Sequence, residues 1–185
     1  MKTWIVGLWE SRRARWSSLG AVGVVAFLCV ASMGQRNYRL GGAWVGSGSG
    51  ETWTGVTTPL DPEGKTAVFT VHPIAWSEDS ASLTRALGGD SVSDGVGWQK
   101  MVSQDTAQWG MVVHVLAGDP PQIVAFEVFA GTLRFMGPDY NKMQYTLTIF
   151  PASADKNGDG LPDPDAVPLM TIPNGTGTNT FVTGD

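Results

Sequence analysis

The chain of 185 residues has a single cysteine, Cys29, so no disulfide can form within it. Its two histidines, His72 and His114, each stand alone in an apolar run without Cys, Asp or Glu at ligand spacing, which leaves no zinc motif. Both read as half-buried strand histidines. No serine lies in a GxSxG context, and the glycine-rich GSGSG at 46–50 lacks the following Lys and helix of a phosphate loop. The usual nucleophile and phosphate-transfer signatures are therefore missing.

Long apolar runs are also scarce. The longest, LGAVGVVAFLCVA at 19–31, reaches the roughly 20 residues of a membrane span only by borrowing Trp16 to Ser18 in front and Ser32 to Gly34 behind. Lys2, Arg12, Arg13 and Arg15 precede it and only Glu10 offsets them, the charge and hydropathy pattern of an export signal. Two readings of residues 1–33 stay open: a signal peptide cut between 31 and 36, or an uncleaved N-terminal signal anchor, the chain's one expected route to a membrane. Cys29 follows bulky Phe27 and Leu28, against a lipoprotein signal. Arg15 and Trp16 stand where a twin-arginine signal expects an apolar pair. The expected setting is extracytoplasmic: secreted, periplasmic or in a bacterial cell envelope.

Residues 34–185 are long enough for one domain with its own core. They hold eight lysines and arginines against sixteen aspartates and glutamates, a net charge near −8, which repels nucleic acid. With Cys29 outside this domain, core burial must stabilise it. Trp44, Trp53, Trp76, Trp98 and Trp109, with Phe69, Phe126, Phe129, Phe135, Phe150 and Phe181, are the expected core.

Alternating Thr, Val and Trp around Gly and Ser at 43–58, then 65–74, 108–116, 122–129, 132–136 and 142–150, has the period of β-strands. PLDPEG, AGDPP, Ala130-Gly131, GPDYN and Asn174-Gly175 read as turns between them. DSASLTRALGG carries the one helical signal, capped by Asp79 or Ser80 and ended at Gly88. The expectation is an all-β fold: an antiparallel meander of about eight or nine strands that closes into a barrel or folds as a β-sandwich, with at most one short helix.

DKNGDGLPDPD at 155–165 is the most specific local pattern. Asp155, Asn157, Asp159 and Asp163 place side-chain oxygens at loop positions 1, 3, 5 and 9, Gly160 occupies the turning position, and Leu161 offers a carbonyl. Ala166 stands where an EF-hand has glutamate, and Pro162, Pro164 and Pro168 forbid a following helix. The segment resembles the calcium repeats of thrombospondin type 3, in which such strings bind calcium without flanking helices. That resemblance implies calcium as cofactor, with Asp165 as an additional ligand. A solvated acidic turn remains the other reading.

Glu127 lies within the apolar run IVAFEVF and by alternation shares a face with Ile123, Ala125 and Phe129. A cross-strand ion pair with Arg134 and a ligand or proton-transfer contact in a barrel interior are both open. Gly42-Ala43-Trp44 at the entry to the first strand resembles the GxW start of lipocalins and avidins, though no arginine lies at 178–182 to pack over Trp44. The resemblance implies an up-and-down barrel whose tryptophan plugs one end and whose interior holds a small ligand. The longer pattern is similar to uncharacterised exported bacterial barrel proteins.

Three function classes follow. The first is a non-enzymatic binding module for a small apolar ligand, with Trp44 and Glu127 as candidate contacts. The second is a structural or interaction domain of the cell envelope with a filled core. The third is a barrel isomerase or hydrolase, which needs Glu127 or His114 in a cavity beside a second polar group. A cavity of about 300 Å³ or more, lined by aromatics, would favour binding.

Overall fold

The computed structural model describes residues 38–137 and 139–182. The export segment at 1–33 lies outside the described residues. The strands are β1 (Gly42–Gly48), β2 (Glu51–Pro59), β3 (Thr66–Ala75), β4 (Ser91–Val92), β5 (Gly95–Met101), β6 (Thr106–Ala117), β7 (Gln122–Gly137), β8 (Tyr140–Pro151) and β9 (Met170–Phe181). Among the described residues one α-helix, α1 (Glu78–Ala86), joins β3 to β4, and a short 3-10 turn, Ala152–Ala154, follows β8.

Every strand pair is antiparallel. Eight strands close in the order β1-β2-β3-β5-β6-β7-β8-β9, with β9 hydrogen-bonded back to β1. The ninth, β4, pairs with the end of β6 beyond the reach of β5. Of the two all-β expectations, the barrel is the one realised. Closure removes the unpaired edges that a sandwich would leave.

Period-two alternation decides which side chains enter. Trp44, Phe69, Trp109, Leu133 and Met143 point into the shared core with Leu40 and Phe135, while Val45, Val56, Val68 and Val96 face outward and are exposed. Trp98, expected in the core, falls on the outward parity of β5 and is exposed, lying over Gly110 of β6.

The interior rings are paired with glycines. Trp44 lies opposite Gly55, Trp53 opposite Gly46, Phe69 opposite Gly97, and Tyr145 between Gly131 and Gly175. A Cβ at Gly46 would overlap the Trp53 indole and the Asn179 side chain, and one at Gly55 would overlap the Trp44 ring. The rings then meet edge to face across the barrel, Trp44 to Phe69 at 6.3 Å, Phe69 to Trp109 at 6.3 Å and Trp109 to Tyr145 at 5.9 Å, the geometry their quadrupoles favour.

The end nearest the start of β1 is closed. Tyr38 stacks on Phe135 at 4.9 Å, Phe135 stacks on Phe181 at 6.2 Å, and Leu40 is fully buried beneath them. Trp44 donates its indole N–H to the Thr57 hydroxyl at 3.0 Å inside this plug. A dry polar ladder crosses the barrel higher up. Trp53 donates to Asn179 Oδ1 at 3.0 Å, and Asn179 donates to Asn141 Oδ1 at 3.1 Å.

Two expected turns are strand interior. Ala130-Gly131 sits in the middle of the continuous β7, and Gly131 is needed because a Cβ there would run into the Gln144 and Tyr145 backbone of β8. Asn174-Gly175 lies within β9, where Asn174 takes φ 65° next to a register shift against β8, and Gly175 leaves room for the Tyr145 ring. The helix forms as expected, but its cap lies two or three residues earlier than Asp79 or Ser80. The Ser77 hydroxyl caps it by accepting the Ser80 N–H at 3.1 Å, and Gly88 follows it at φ 83°.

Gly46→Ala should lower the unfolding free energy in urea by roughly 1–3 kcal/mol, because the Trp53 ring and Asn179 must both shift. Ser47→Ala on the exposed parity should stay within about 0.5 kcal/mol of the parent. Equal stability of the two variants would show that the ring-over-glycine contact does not constrain the barrel.

Candidate functional site

The end opposite the plug is a cup. Its cavity is about 90 Å³, well under the ~300 Å³ expected of a pocket for a drug-sized ligand. The floor is set by the packed rings, including Trp44 and Phe69, and the walls by Trp109, Met111, Val113, Phe129 and Tyr145. Glu51, Trp53, Trp76 and Ser93 line it from the starts of β2 and β5 and from the segment after β3. Alpha helix α1 covers part of the same end: Thr84 is buried, and Gly89 just after the helix packs on Val115.

Glu127 is on the cup wall and is only 4% exposed. Its strand neighbours across the ladder are Val113 of β6 and Ile149 of β8, both apolar. The ion pair with Arg134 does not form. Seven residues apart on one strand, the two point to opposite faces, and Arg134 instead reaches Asp105 on the surface at 3.3 Å. Among the described residues, no donor or cation bonds to the Glu127 carboxyl. Burial, with the Glu51 charge second, pushes that carboxyl up from 4.5 to about 7.

Glu51 is held differently. It accepts hydrogen bonds from the hydroxyls of Ser80 and Ser77, so the first turn of α1 fastens it at the rim. Burial pushes the Tyr145 phenol up, Glu51 adds to that, and a hydrogen bond with Ser49 opposes it. Gln99 and Asn179 are the remaining buried polar side chains that line the cup. The cup thus holds two acids, one tied and one free, among aromatic rings, and among the described residues no lysine, arginine or histidine lines it. Glu127 can accept or release a proton at a bound molecule, but no second polar group is hydrogen-bonded to it as a catalytic pair would be.

Of the candidates from sequence, Trp44 and Glu127 both reach this cavity, at its floor and wall. Glu51, Gln99 and Tyr145 were not singled out; Trp53 and Trp76 were expected only in the core, and Trp76 instead stands 41% exposed at the mouth. Gln99 was within reach of alternation, since it shares parity with Gly95 and Gly97 on β5. Glu51 and Trp76 meet at the rim end of the β2–β3 pair, where Thr52 lies opposite Ala75.

The acidic loop lies elsewhere, on the outer face of β6 and β7. Gly160 O is 2.9 Å from His114 Nε2, and the His114 ring meets Phe126 edge-on at 5.6 Å. Asp155 winds the loop by accepting N–H groups of Gly158, Asp159 and Gly160 at 2.7–3.1 Å. Asp159 accepts from Leu161 at 2.9 Å, Asp163 from the Lys156 N–H at 3.1 Å, and Asp165 pairs with the Lys156 ammonium at 3.2 Å. Among the described residues, no three Asp, Glu, His or Cys side chains come together as a metal site. His72, expected half-buried, is exposed and sits 2.7 Å from Asp94 on the surface, because its parity on β3 is outward.

The raised Glu127 carboxyl gives a signed expectation. The protonated form is favoured in the folded chain, so this contribution to stability is full below about pH 4.5 and is lost as pH rises through about 7. Ionised and buried, the group costs on the order of 3 kcal/mol. Glu127→Gln should therefore be more stable than the parent by that order at pH 8 and nearly equal to it at pH 4.5, read from denaturant unfolding of both proteins at the two pH values. A stability difference independent of pH would place the carboxyl in a water-like environment. Set against family models, curated proteins and solved structures, the chain matches none of them.

Proposed function

We propose that residues 34–185 form an extracytoplasmic, non-enzymatic binding module that holds a small ligand in the cup. The observation that carries this reading is the aromatic-walled cavity with a buried, unpartnered carboxyl on its wall. A domain selected for stability alone gains by filling such a space and by replacing the acid. An eight-stranded barrel plugged at the Trp44 end supports the likeness to lipocalins and avidins. At about 90 Å³ the enclosed ligand portion is small, about three water volumes, and anything larger must extend through the mouth.

The packed lower barrel supports the second reading, an envelope domain whose interior is filled by its own side chains. Native mass spectrometry of the full chain released from cells without denaturation separates the two. Binding predicts a retained small-molecule mass on the parent that is lost in Val71→Trp, which fills the cup. A filled core predicts one ligand-free mass for both proteins and a strongly destabilised Val71→Trp. The same spectrum reads the N-terminus, and a chain starting between residues 31 and 36 supports a cleaved export signal.

Calcium at Asp155, Asn157, Asp159, Leu161, Asp163 and Asp165 is part of the same proposal as a structural ion. Tight winding at Gly158 and Gly160, with φ of 77° and 83°, favours it, since amide-bonded carboxylates keep lone pairs for a hard cation. The ion would have to displace Lys156 from Asp165. Millimolar calcium should raise the melting temperature relative to chelator, and Lys156→Ala should lower the calcium needed. An unchanged melt in both proteins would leave the loop as an acidic turn held by its own amides.

A further inference from the structure

We infer that the ligand of the cup is a small organic cation, an alkylammonium whose charged head enters the cavity and pairs with Glu127 while its remainder leaves through the mouth beside Glu51 and Trp76. This rests on the reading of the cup as a binding site and changes its ligand from apolar to cationic.

Three independent observations converge on it. The first is the Glu127 carboxyl itself, 4% exposed, facing the cavity and lacking any donor or cation among the described residues. A buried carboxylate without a partner is costly, and an incoming ammonium supplies both the charge and the N–H donors that the wall withholds. Neutral apolar ligands would bury it further and relieve nothing. Anions would meet two acids.

The second is the wall chemistry. Trp53, Trp76, Trp109, Phe129 and Tyr145 present rings around the same space, and the electron-rich faces of such rings attract cations with more effect where water is excluded. No basic residue competes for Glu127 within the cup. From β6 the facing residue is Val113, since His114 points outward to Gly160; from β8 it is Ile149, with Tyr145 further along; from the rim only Glu51 bears on it electrostatically.

The third is the division of labour between the acids. Glu51 is already satisfied by Ser77 and Ser80, so it contributes a fixed negative potential at the entrance. Glu127 is the unsatisfied one, deeper in. With a net charge near −8 on residues 34–185, the whole domain also draws cations toward the mouth.

The test uses three probes of one length and three charges: butylammonium, 1-butanol and butyrate, titrated into the full chain at pH 8 and read by tryptophan fluorescence and calorimetry. The expected result is butylammonium binding at least tenfold more tightly than 1-butanol, with butyrate undetected. Glu127→Gln should remove at least tenfold of the cation's affinity and leave that of 1-butanol unchanged, which also certifies that the variant's cup is intact. Butylammonium affinity of the parent should fall as pH is lowered from 8 to 6, where Glu127 takes up its proton while the amine stays charged. If 1-butanol binds as well as butylammonium, or Glu127→Gln keeps the preference for the cation, the cationic ligand is overturned and the cup reading stands. If none of the three probes binds at millimolar concentration and the parent and Val71→Trp both show one ligand-free mass, both fall.

Discussion

The barrel depends on large aromatic rings laid flat across glycines of the neighbouring strand. Eight strands enclose an interior only wide enough for side chains to fill. Indole and phenyl rings would overfill it if each position also carried a Cβ. Gly46, Gly55, Gly97 and Gly175 supply the missing volume, each opposite a ring, while Gly131 keeps clear of the β8 backbone at Gln144 and Tyr145. The rings occupy the plugged half completely and run out toward the mouth, so the cup is what remains above the last ring-over-glycine layer. Cavity and scaffold are therefore one packing problem, and the same Trp109, Phe129 and Tyr145 that complete the core also form the cavity wall.

That use of glycine explains where sequence reasoning succeeded and where it failed. Fold class, the PLDPEG, AGDPP and GPDYN turns, the single helix and the inward parity of Glu127 were all legible, because they follow from period two and from local turn chemistry. Ala130-Gly131 and Asn174-Gly175 were misread as turns. A glycine that relaxes φ and a glycine that makes room for a ring are the same letter, and only the partner strand distinguishes them. Arg134 as a partner for Glu127 failed for a linked reason: without a turn between them, the two stay on one strand and on opposite faces. Tyr145 was illegible as part of the cup because β8 faces Glu51 and Trp76 only across the closed barrel, whereas those two follow from the β2–β3 pairing.

The acidic loop has a consequence for the cup although it does not touch it. Glu127 sits on a strand whose outward neighbour, Phe126, is 1% exposed, since the loop and His114 cover it from outside. Ala125, Phe126 and Glu127 are all buried, so this part of β7 is shielded on both faces, as its nearly continuous apolar run implies. Water is kept from the carboxyl by the rings on one side and by the loop-covered strand on the other. An ion in the loop would tighten that cover, whereas the wound backbone alone already provides it.

The acid in that place is what the proposed binding role rests on most. The domain's sequence from 34 to 185 contains no cysteine, so it has no disulfide of its own against which to set a destabilising residue. Glutamine would fit the same volume without the penalty of burying a charge, and valine would extend the apolar wall. Neither structural need is served by a carboxyl, because nothing in the described barrel donates to it. The cost of that acid is relieved by its protonation or by a complementary charge, so under the proposed reading a cationic ligand would stabilise the barrel at pH values where the carboxyl is ionised.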